Sequence, residues 1–390
     1  MMKKLTQAKN INWIIVLLVT FFVSEAIYKY LIDLHLKEYR IAGVIKFIAQ
    51  IGMGFIILKE YKKNTKNIGL LVILAILFLL GQIAIQEDNI FVNIEYFNNS
   101  VFLAIVLLFA NTLTLSEEQK KQIFKWFEIV IIVNSIAVIV GFVFSITFFE
   151  TYQADRFGYS GFLIKSSYAS YFYLIGVFYY THQAFILNKS KKLLFLLVAF
   201  SAIIVGTKAA VLSLLLCVLF IVFKRKLLLN KVFVLIIFAA LVLAVIFNKK
   251  ILFFFTPYID VFLPIIEQYG ILTALFSYRD LILEEHLIPF IQSDWTLINY
   301  LFGGIGSILI KSGLDFIDVF YFFGIIGGAL YVYILYRVLY IYNVSKDYIC
   351  FILFICIVMS LAGNFFYNSS VAILMCIMKL YFQSTKEHES

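Results

Sequence analysis

The chain has 390 residues, of which 63% are hydrophobic and only 14% are charged, and its mean hydropathy is +0.98. A soluble domain is nearer half apolar and a quarter charged, so this composition excludes an ordinary soluble protein and indicates a lipid bilayer as the solvent. The formal net charge of +9 does not indicate nucleic acid, because the basic residues lie in short loops between apolar runs, where they orient membrane helices.

Apolar runs follow one another along the chain at the length of about 20 residues that a helix needs to cross a bilayer. They predict an all-α polytopic membrane protein of about twelve transmembrane helices, with residues 1–390 in a single integral membrane domain. The region 193–223 is too long for one ordinary span, so a tight turn at Gly206-Thr207-Lys208 is preferred to one long tilted helix. The predicted spans lie near residues 12–32, 41–59, 67–86, 94–115, 123–149, 166–187, 192–206, 208–223, 231–248, 316–342, 347–363 and 366–383.

Lysine and arginine are concentrated in every second short loop, which predicts that both termini are cytoplasmic. On this topology residues 249–317, between the ninth and tenth spans, form one long external loop. Within this loop, Ser277–Pro289 mixes apolar and charged residues at helical spacing. That pattern is typical of an amphipathic helix lying on the membrane surface.

The sequence contains no nucleotide-binding glycine loop, no zinc-protease motif and no nucleophile elbow. Its four cysteines lie in apolar runs without metal-ligand spacing, as buried structural thiols do. We therefore expect no metal site and no cofactor. The remaining candidates for chemistry are cations and carboxylates on the predicted external face.

Three cations stand out on that face. Arg156 opens a loop that contains two glycines, Lys208 lies between two short spans, and Arg279 begins the amphipathic segment. Arginine offers a planar fork of donors suited to phosphate, so these residues are candidates for an anion site, with Lys165 in reserve. The alternatives are a headgroup-level cation at Arg156, an interfacial anchor at Lys208 and a local ion pair at Arg279.

Two acidic residues, Asp315 and Asp318, lie three positions apart at the outer entry of the tenth span and would share one helix face. They either stabilise the helix N-terminus, or one of them is a general base in a partly buried pocket, where a neighbouring like charge raises its pKa. Asp33, after the first span, is the reserve acid. Membrane glycosyltransferases of other families place a catalytic acid in the first external loop.

The order of several motifs resembles the O-antigen polymerase and O-antigen ligase-like family of cell-surface polysaccharide assembly. The resemblance covers roughly residues 150–370, and the order of the motifs is more specific than any one of them. The matching segments are Arg156-Phe-Gly158, Gly206-Thr-Lys208, Tyr278-Arg279-Asp280, Leu301–Gly306, Phe323–Gly327 and Ala362–Tyr367.

The resemblance implies a GT-C-like, metal-independent glycosyltransferase at the external face of the bacterial plasma membrane. Arginines would hold the diphosphate of an undecaprenyl-diphosphate-linked oligosaccharide, and a flippase and a chain-length regulator are the implied partner proteins. Ligases of the family commonly carry a His-Asn pair before the Gly-x-x-Gly helix. This chain has Asp315 and Asp318 in that region, which favours a polymerase. Thr207-Lys208 replaces the frequent Ser-Arg, which keeps the charge but not the planar fork.

The resulting hypothesis is a capsular or cell-wall polysaccharide polymerase. Asp318 or Asp315 would be the base, and Arg156, Arg279 and Lys208 would hold the diphosphate. A ligase that transfers finished glycan to another acceptor is one alternative. A flippase for lipid-linked oligosaccharide is the other, although it should carry its charges in a central cavity between two related halves.

Overall fold

The computed structural model describes residues 12–36, 38–85, 90–152, 156–230, 263–305, 311–340 and 345–387. Within these ranges the protein is all-helical and contains no strand, as predicted. The predicted ninth span at 231–248 lies outside the described residues. Of the predicted external loop, the described part is 263–305 and 311–317.

The N-terminal part of the chain consists of long helices joined by short connections. They are α1 (Trp13–Asp33), α2 (Ile41–Lys59), α3 (Tyr61–Ile85), α4 (Ile90–Thr112) and α5 (Glu117–Phe144), followed by a 3-10 turn (Thr147–Phe149). The helices that follow are shorter. They are α6 (Ser166–Thr181) with a π-helical turn (His182–Ile186), α7 (Lys192–Ile204) and α8 (Lys208–Lys224), followed by a 3-10 turn (Leu227–Leu229).

The predicted external loop contains short helices, and residues 263–269 are also helical. The labelled elements are α9 (Ile271–Phe276), α10 (Arg279–Ile282), a π-helical turn (Leu283–Leu287), α11 (Ile288–Asp294) and α12 (Leu297–Phe302). Leu287 is fully buried, whereas its neighbours 284–286 are exposed, so an apolar residue of this segment packs inward while charged residues lie outside. The chain ends with α13 (Asp315–Tyr340), α14 (Lys346–Ala362) and α15 (Ser369–Glu387).

Six helices of the described residues are long and apolar enough to cross a membrane by length and composition. They are α1 to α5 and α13. The helices at the other predicted spans among the described residues either have 13 to 17 residues, as in α7 and α14, or carry more polar residues, as α15 does. The structure therefore supports a polytopic membrane protein with six candidate spans in the described part of the chain.

Helix α6 lies at the centre of the packing. Every residue from Tyr168 to Thr181 is buried, and the helix contacts α7, α8, α14 and α15. Large aromatic side chains fill this core, and Phe178 alone packs against rings from α8, α14 and α15. A helix that is apolar all round is buried on all sides, which explains how α6 can form the centre of the protein.

The predicted tight turn before Lys208 is confirmed, because α7 ends at Ile204 and α8 begins at Lys208. Thr207 caps α8, and its side-chain oxygen accepts a hydrogen bond from the backbone of Ala210 at 3.2 Å. The hydroxyl of Ser170 donates to the same oxygen at 2.8 Å. A threonine at this position satisfies an otherwise unpaired helix N–H group, so the turn and the placement of Lys208 follow from the local sequence.

Helix α13 breaks at Gly324, which has φ 64° and ψ −166°. The segment after α12 packs into this break, and a Cβ atom at Gly324 would lie 2.5 Å from the nitrogen of Gly303. The backbone N–H of Gly304 donates to the carbonyl of Tyr321 at 3.1 Å. Only glycine combines this positive φ with such a close approach of two backbones, so the interruption of α13 is built into the sequence.

Candidate functional site

Arg279 is presented by a strained turn. Ser277 and Tyr278 have φ values of 54° and 65°, a region that is costly for non-glycine residues and is enriched at functional sites. The turn separates α9 from α10 and makes Arg279 the first residue of α10. Nη2 of Arg279 donates to the carbonyl oxygen of Ala362, 2.5 Å away. The last residue of α14 therefore helps to fix the position of this guanidinium.

Asp315 connects the start of α13 to the segment after α14. Its side chain is 1% exposed, and both carboxylate oxygens accept the backbone N–H of Phe365 at 3.0 Å. The hydroxyl of Tyr171, from the central helix α6, lies 3.4 Å from Oδ2 and donates to the carbonyl of Gly363 at 3.0 Å. Asp315 therefore holds together three separate parts of the chain.

Asp318 fastens the loop that leads into α13. It is also 1% exposed. Its Oδ1 accepts hydrogen bonds from the backbone and hydroxyl of Ser312 at 3.0 and 2.8 Å, and its Oδ2 accepts the N–H of Gly313 at 3.0 Å. Every carboxylate oxygen of Asp315 and Asp318 therefore accepts a hydrogen bond from the protein. This environment suits groups that position the chain, and it buries both carboxylates more deeply than the partly buried pocket that was predicted for a general base.

Lys311 is a cation of this cluster that no sequence motif marks. Its ammonium donates to Oδ1 of Asn364 at 2.5 Å and lies 3.4 Å from the centre of the Tyr367 ring. Burial lowers the pKa of Lys311 to about 8, although the negative charges of Asp318 and Asp315 act in the opposite direction. The only signal in the sequence was indirect, since Asn364 and Tyr367 belong to a matched motif.

Arg156 lies in a loop that folds against the turn between α7 and α8. Within the loop, the N–H of Thr151 donates to the carbonyl of Gly158 at 2.8 Å. Gly206 has φ +72°, and a Cβ atom there would lie 2.8 Å from Cα of Gly158. The guanidinium of Arg156 lies 4.6 Å from the centre of the Tyr152 ring. The glycines of two matched motifs thus allow their backbones to meet, and the contact brings the Arg156 loop next to Lys208.

Lys208 connects the start of α8 to the turn that presents Arg279. Its ammonium donates to the carbonyls of Ala274 and Leu275 near the end of α9, where helix carbonyls carry a partial negative charge. The ammonium is also close enough to Arg156 and Arg279 for their positive charges to act on it. The structure thus brings together the three cations that the sequence singled out.

Lys165, the reserve cation, is exposed at the entry of α6. Its charge acts on Lys311, as does that of Arg279. Among the described residues the cluster therefore contains more cations than carboxylates. The carboxylates of Asp315 and Asp318 are buried, and their oxygens already accept hydrogen bonds. Such an excess of positive charge is suited to a ligand with several negative charges. The cations are Arg156, Lys165, Lys208, Arg279 and Lys311.

A cleft of about 600 Å³ adjoins the cluster at the Arg156 loop. Asp33 and Glu150 line it together with Arg156 and Lys29. Asp33, the reserve acid, is exposed at the last residue of α1. Lys29 is held in place, because its ammonium donates to the carbonyl of Gly161 at 2.7 Å. Unlike Asp315 and Asp318, Asp33 is an acid that a ligand in the cleft can reach.

Within the described ranges, no group of three His, Cys, Asp or Glu side chains is arranged to hold a metal ion. Models of known protein families, curated proteins and solved structures were all compared with this chain, and none matches it. Any assignment of function therefore rests on the site itself and on the order of the motifs.

Proposed function

We propose that this protein is a polysaccharide polymerase of the external face of the bacterial plasma membrane. Its donor is a growing glycan on undecaprenyl diphosphate, and its acceptor is a single lipid-linked repeat unit. The observation that supports this most directly is that cations from separate segments of the chain lie close together in one cluster. A lipid diphosphate carries the matching charge, and arginine binds phosphate oxygens through two parallel hydrogen bonds.

The cations serve the departure of the diphosphate. In the transfer, the acceptor oxygen forms a bond to the anomeric carbon of the donor while the bond from that carbon to the diphosphate oxygen breaks. The electron pair of the broken bond stays on the diphosphate. Fixed positive charges at that place stabilise the transition state without having to reorganise. Arg279 is suited to this role because the Ala362 carbonyl and the turn at Tyr278 already hold it.

The acceptor hydroxyl must lose its proton to a base during the same step. Asp33 fits this role, because it is exposed in the cleft that Arg156 also lines. Asp315 and Asp318 are positioning residues in this proposal, because their hydrogen bonds hold the segments that carry Lys311 and Asn364. This assignment exchanges the roles of the primary and reserve acids that the sequence suggested.

The topology supports the same proposal. The bias of lysine and arginine among the short loops predicts an external position for the cluster, where nucleotide-linked sugars are not available. About twelve spans, with the ninth among residues 231–248, would complete the membrane domain.

The test is conversion of a lipid-linked repeat unit into polymer by the purified protein in vesicles. Arg279→Ala should lower the rate by about two orders of magnitude or more, which is typical of losing one preorganised donor. Arg279→Lys should restore part of it, because it keeps the charge but not the fork. Arg225→Ala is the matched control, because Arg225 also donates to a backbone carbonyl, that of Phe185 at 2.6 Å, outside the cluster.

A wild-type rate in Arg279→Ala would remove this arginine from the site. Movement of the lipid-linked unit across the vesicle membrane without polymer would indicate the flippase alternative. Transfer of preformed glycan to a different acceptor, again without polymer, would indicate a ligase.

A further inference from the structure

A second cleft, of about 330 Å³, lies between α2 and α4, and both polar and apolar side chains line it. Two helices that meet only in lipid should present apolar side chains to each other and to the bilayer. This cleft instead contains three amides, with Gln50 from α2 and Asn98 and Asn99 from α4. The ring of Phe47, which is 55% exposed, forms part of its wall.

Among the described residues, the oxygen of one of these amides accepts no hydrogen bond. Gln50 is 8% exposed, and its buried Oε1 accepts no hydrogen bond from any residue that the structure describes. Nearly all buried polar groups in proteins have a partner. A buried acceptor that lines a cleft is therefore suited to a donor supplied by a ligand.

The charges of the cleft are balanced. Lys46 pairs with Glu25, and their side chains are only 12% and 10% exposed. Glu25 also accepts a hydrogen bond from the hydroxyl of Ser370 at 2.7 Å. Arg40 lies 4.0 Å from Glu95. Since each cation has an acidic neighbour, the cleft lacks the excess positive charge of the Arg279 cluster and is better suited to a neutral polar ligand than to a phosphate.

Amides combined with an exposed ring match the chemistry of a sugar. An amide side chain both donates and accepts hydrogen bonds, so it can pair with neighbouring hydroxyl groups. A ring face can pack against the apolar C–H surface of a sugar in the same way as it packs against other apolar groups.

Helix α4 connects the cleft to the cation cluster through aromatic side chains. Tyr96, between the cleft residues of α4, packs its ring 5.4 Å from that of Tyr367. The Tyr367 ring also contacts Lys311 of the cation cluster, whose ammonium lies 3.4 Å from the ring centre. One pair of packed rings therefore connects the cleft helix α4 to the cation cluster.

We propose that the cleft between α2 and α4 binds the saccharide hydroxyl groups of a membrane glycolipid. The attachment of that saccharide to a diphosphate rests on the proposed function, but binding of the saccharide does not. Gln50, Asn98 and Asn99 supply the hydrogen bonds, and Phe47 supplies the apolar surface.

The experiment measures photocrosslinking, without turnover. The full-length protein in phospholipid nanodiscs is exposed to dodecyl maltoside with a diazirine on its sugar, and the labelled peptides are identified by mass spectrometry. We expect labels within residues 40–50 and 95–102, and competition by unlabelled dodecyl maltoside but not by dodecyl phosphocholine. Gln50→Leu and Asn98→Leu should each lower this labelling at least fivefold.

Asn64→Leu is the matched control, because Asn64 is a buried amide of α3 that does not line the cleft, and it should leave labelling unchanged. Asn98 is only half-buried, so its variant keeps the test valid even where Gln50→Leu fails to fold. The proposal is overturned by equal labelling from a dodecyl diazirine without sugar, or by wild-type labelling in both cleft variants. Labelling without polymer synthesis would support saccharide binding in the cleft and reject the polymerase function. Polymer synthesis without labelling would support the polymerase function and reject saccharide binding in the cleft.

Discussion

Lys311 gives the cation cluster a dependence on pH. Burial lowers its pKa in the folded protein from an ordinary 10.5 to about 8, so the folded state loses the proton before the unfolded state does. Between these two pH values the unfolded chain binds more protons, and the contribution of Lys311 to folding stability therefore rises with pH. Anion binding needs the ammonium and weakens over the same range.

We therefore predict that the affinity for undecaprenyl diphosphate falls above about pH 8, by roughly tenfold per pH unit at most. Lys311→Arg should flatten this fall, because arginine stays charged in proteins. Lys311→Met should bind weakly at every pH. Titration of binding from pH 7 to pH 10 checks this, and the same slope in wild type and Lys311→Arg would contradict it.

Substitution of Asp33 should affect the rate of transfer, whereas substitution of Asp318 should affect the stability of the fold. Asp33→Asn changes an exposed side chain, so it should leave the melting temperature unchanged while lowering glycosyl transfer by about 10²–10⁴-fold, as the loss of a general base does. Asp318→Asn should instead destabilise the fold by about 1–3 kcal/mol, because the amide keeps one acceptor for Ser312 but turns an NH2 group toward the N–H of Gly313, whose hydrogen bond is lost.

Thermal melting and a transfer assay on both variants test this difference. If Asp33→Asn transfers at the wild-type rate while Asp318→Asn is stable but inactive, the assignment of the base returns to the acid pair at the start of α13. Glu285→Gln serves as a control, since it removes an exposed acid from the amphipathic segment outside the cluster.

At the scale of elements, the break in α13 depends on two glycines. Gly324→Ala would place a Cβ atom 2.5 Å from the backbone of Gly303 and would impose a side chain on φ +64°. We predict a loss of about 1–3 kcal/mol, the usual range for a strained backbone substitution. Gly69→Ala is the control, because nothing lies within 4 Å of its added Cβ. A melting temperature of Gly324→Ala equal to that of the control would show that the break tolerates a side chain.

For the molecule as a whole, the predicted topology can be tested with single cysteines. Ser293 lies in α11 of the predicted external loop, and Asn188 follows the π-helical turn on the predicted inner side. A membrane-impermeant maleimide should label Ser293→Cys in intact cells and label Asn188→Cys only after permeabilisation. The wild-type chain with its four native cysteines measures the background. Labelling of both sites in intact cells would reject the topology.

The sequence predicted an all-helical protein because bilayer-length apolar runs leave the backbone few alternatives. It also predicted the turn before Lys208, where Gly206 and Thr207 act locally. It identified Arg156, Lys208 and Arg279, which the structure brings close together. It did not identify Lys311 or the hydrogen bonds of Asp315, because these depend on contacts with residues 363–367. Such long-range contacts leave no periodic pattern along the chain.

Residues 362–365, at the end of α14 and directly after it, support the cation cluster but come near the end of the chain. They are therefore synthesised after the other residues of the cluster. These residues supply the carbonyl of Ala362 to Arg279, the N–H of Phe365 to Asp315 and the side chain of Asn364 to Lys311. During synthesis these residues leave the ribosome after most of the helices have entered the membrane. A nascent or truncated chain would therefore contain the cations without the groups that hold them in place.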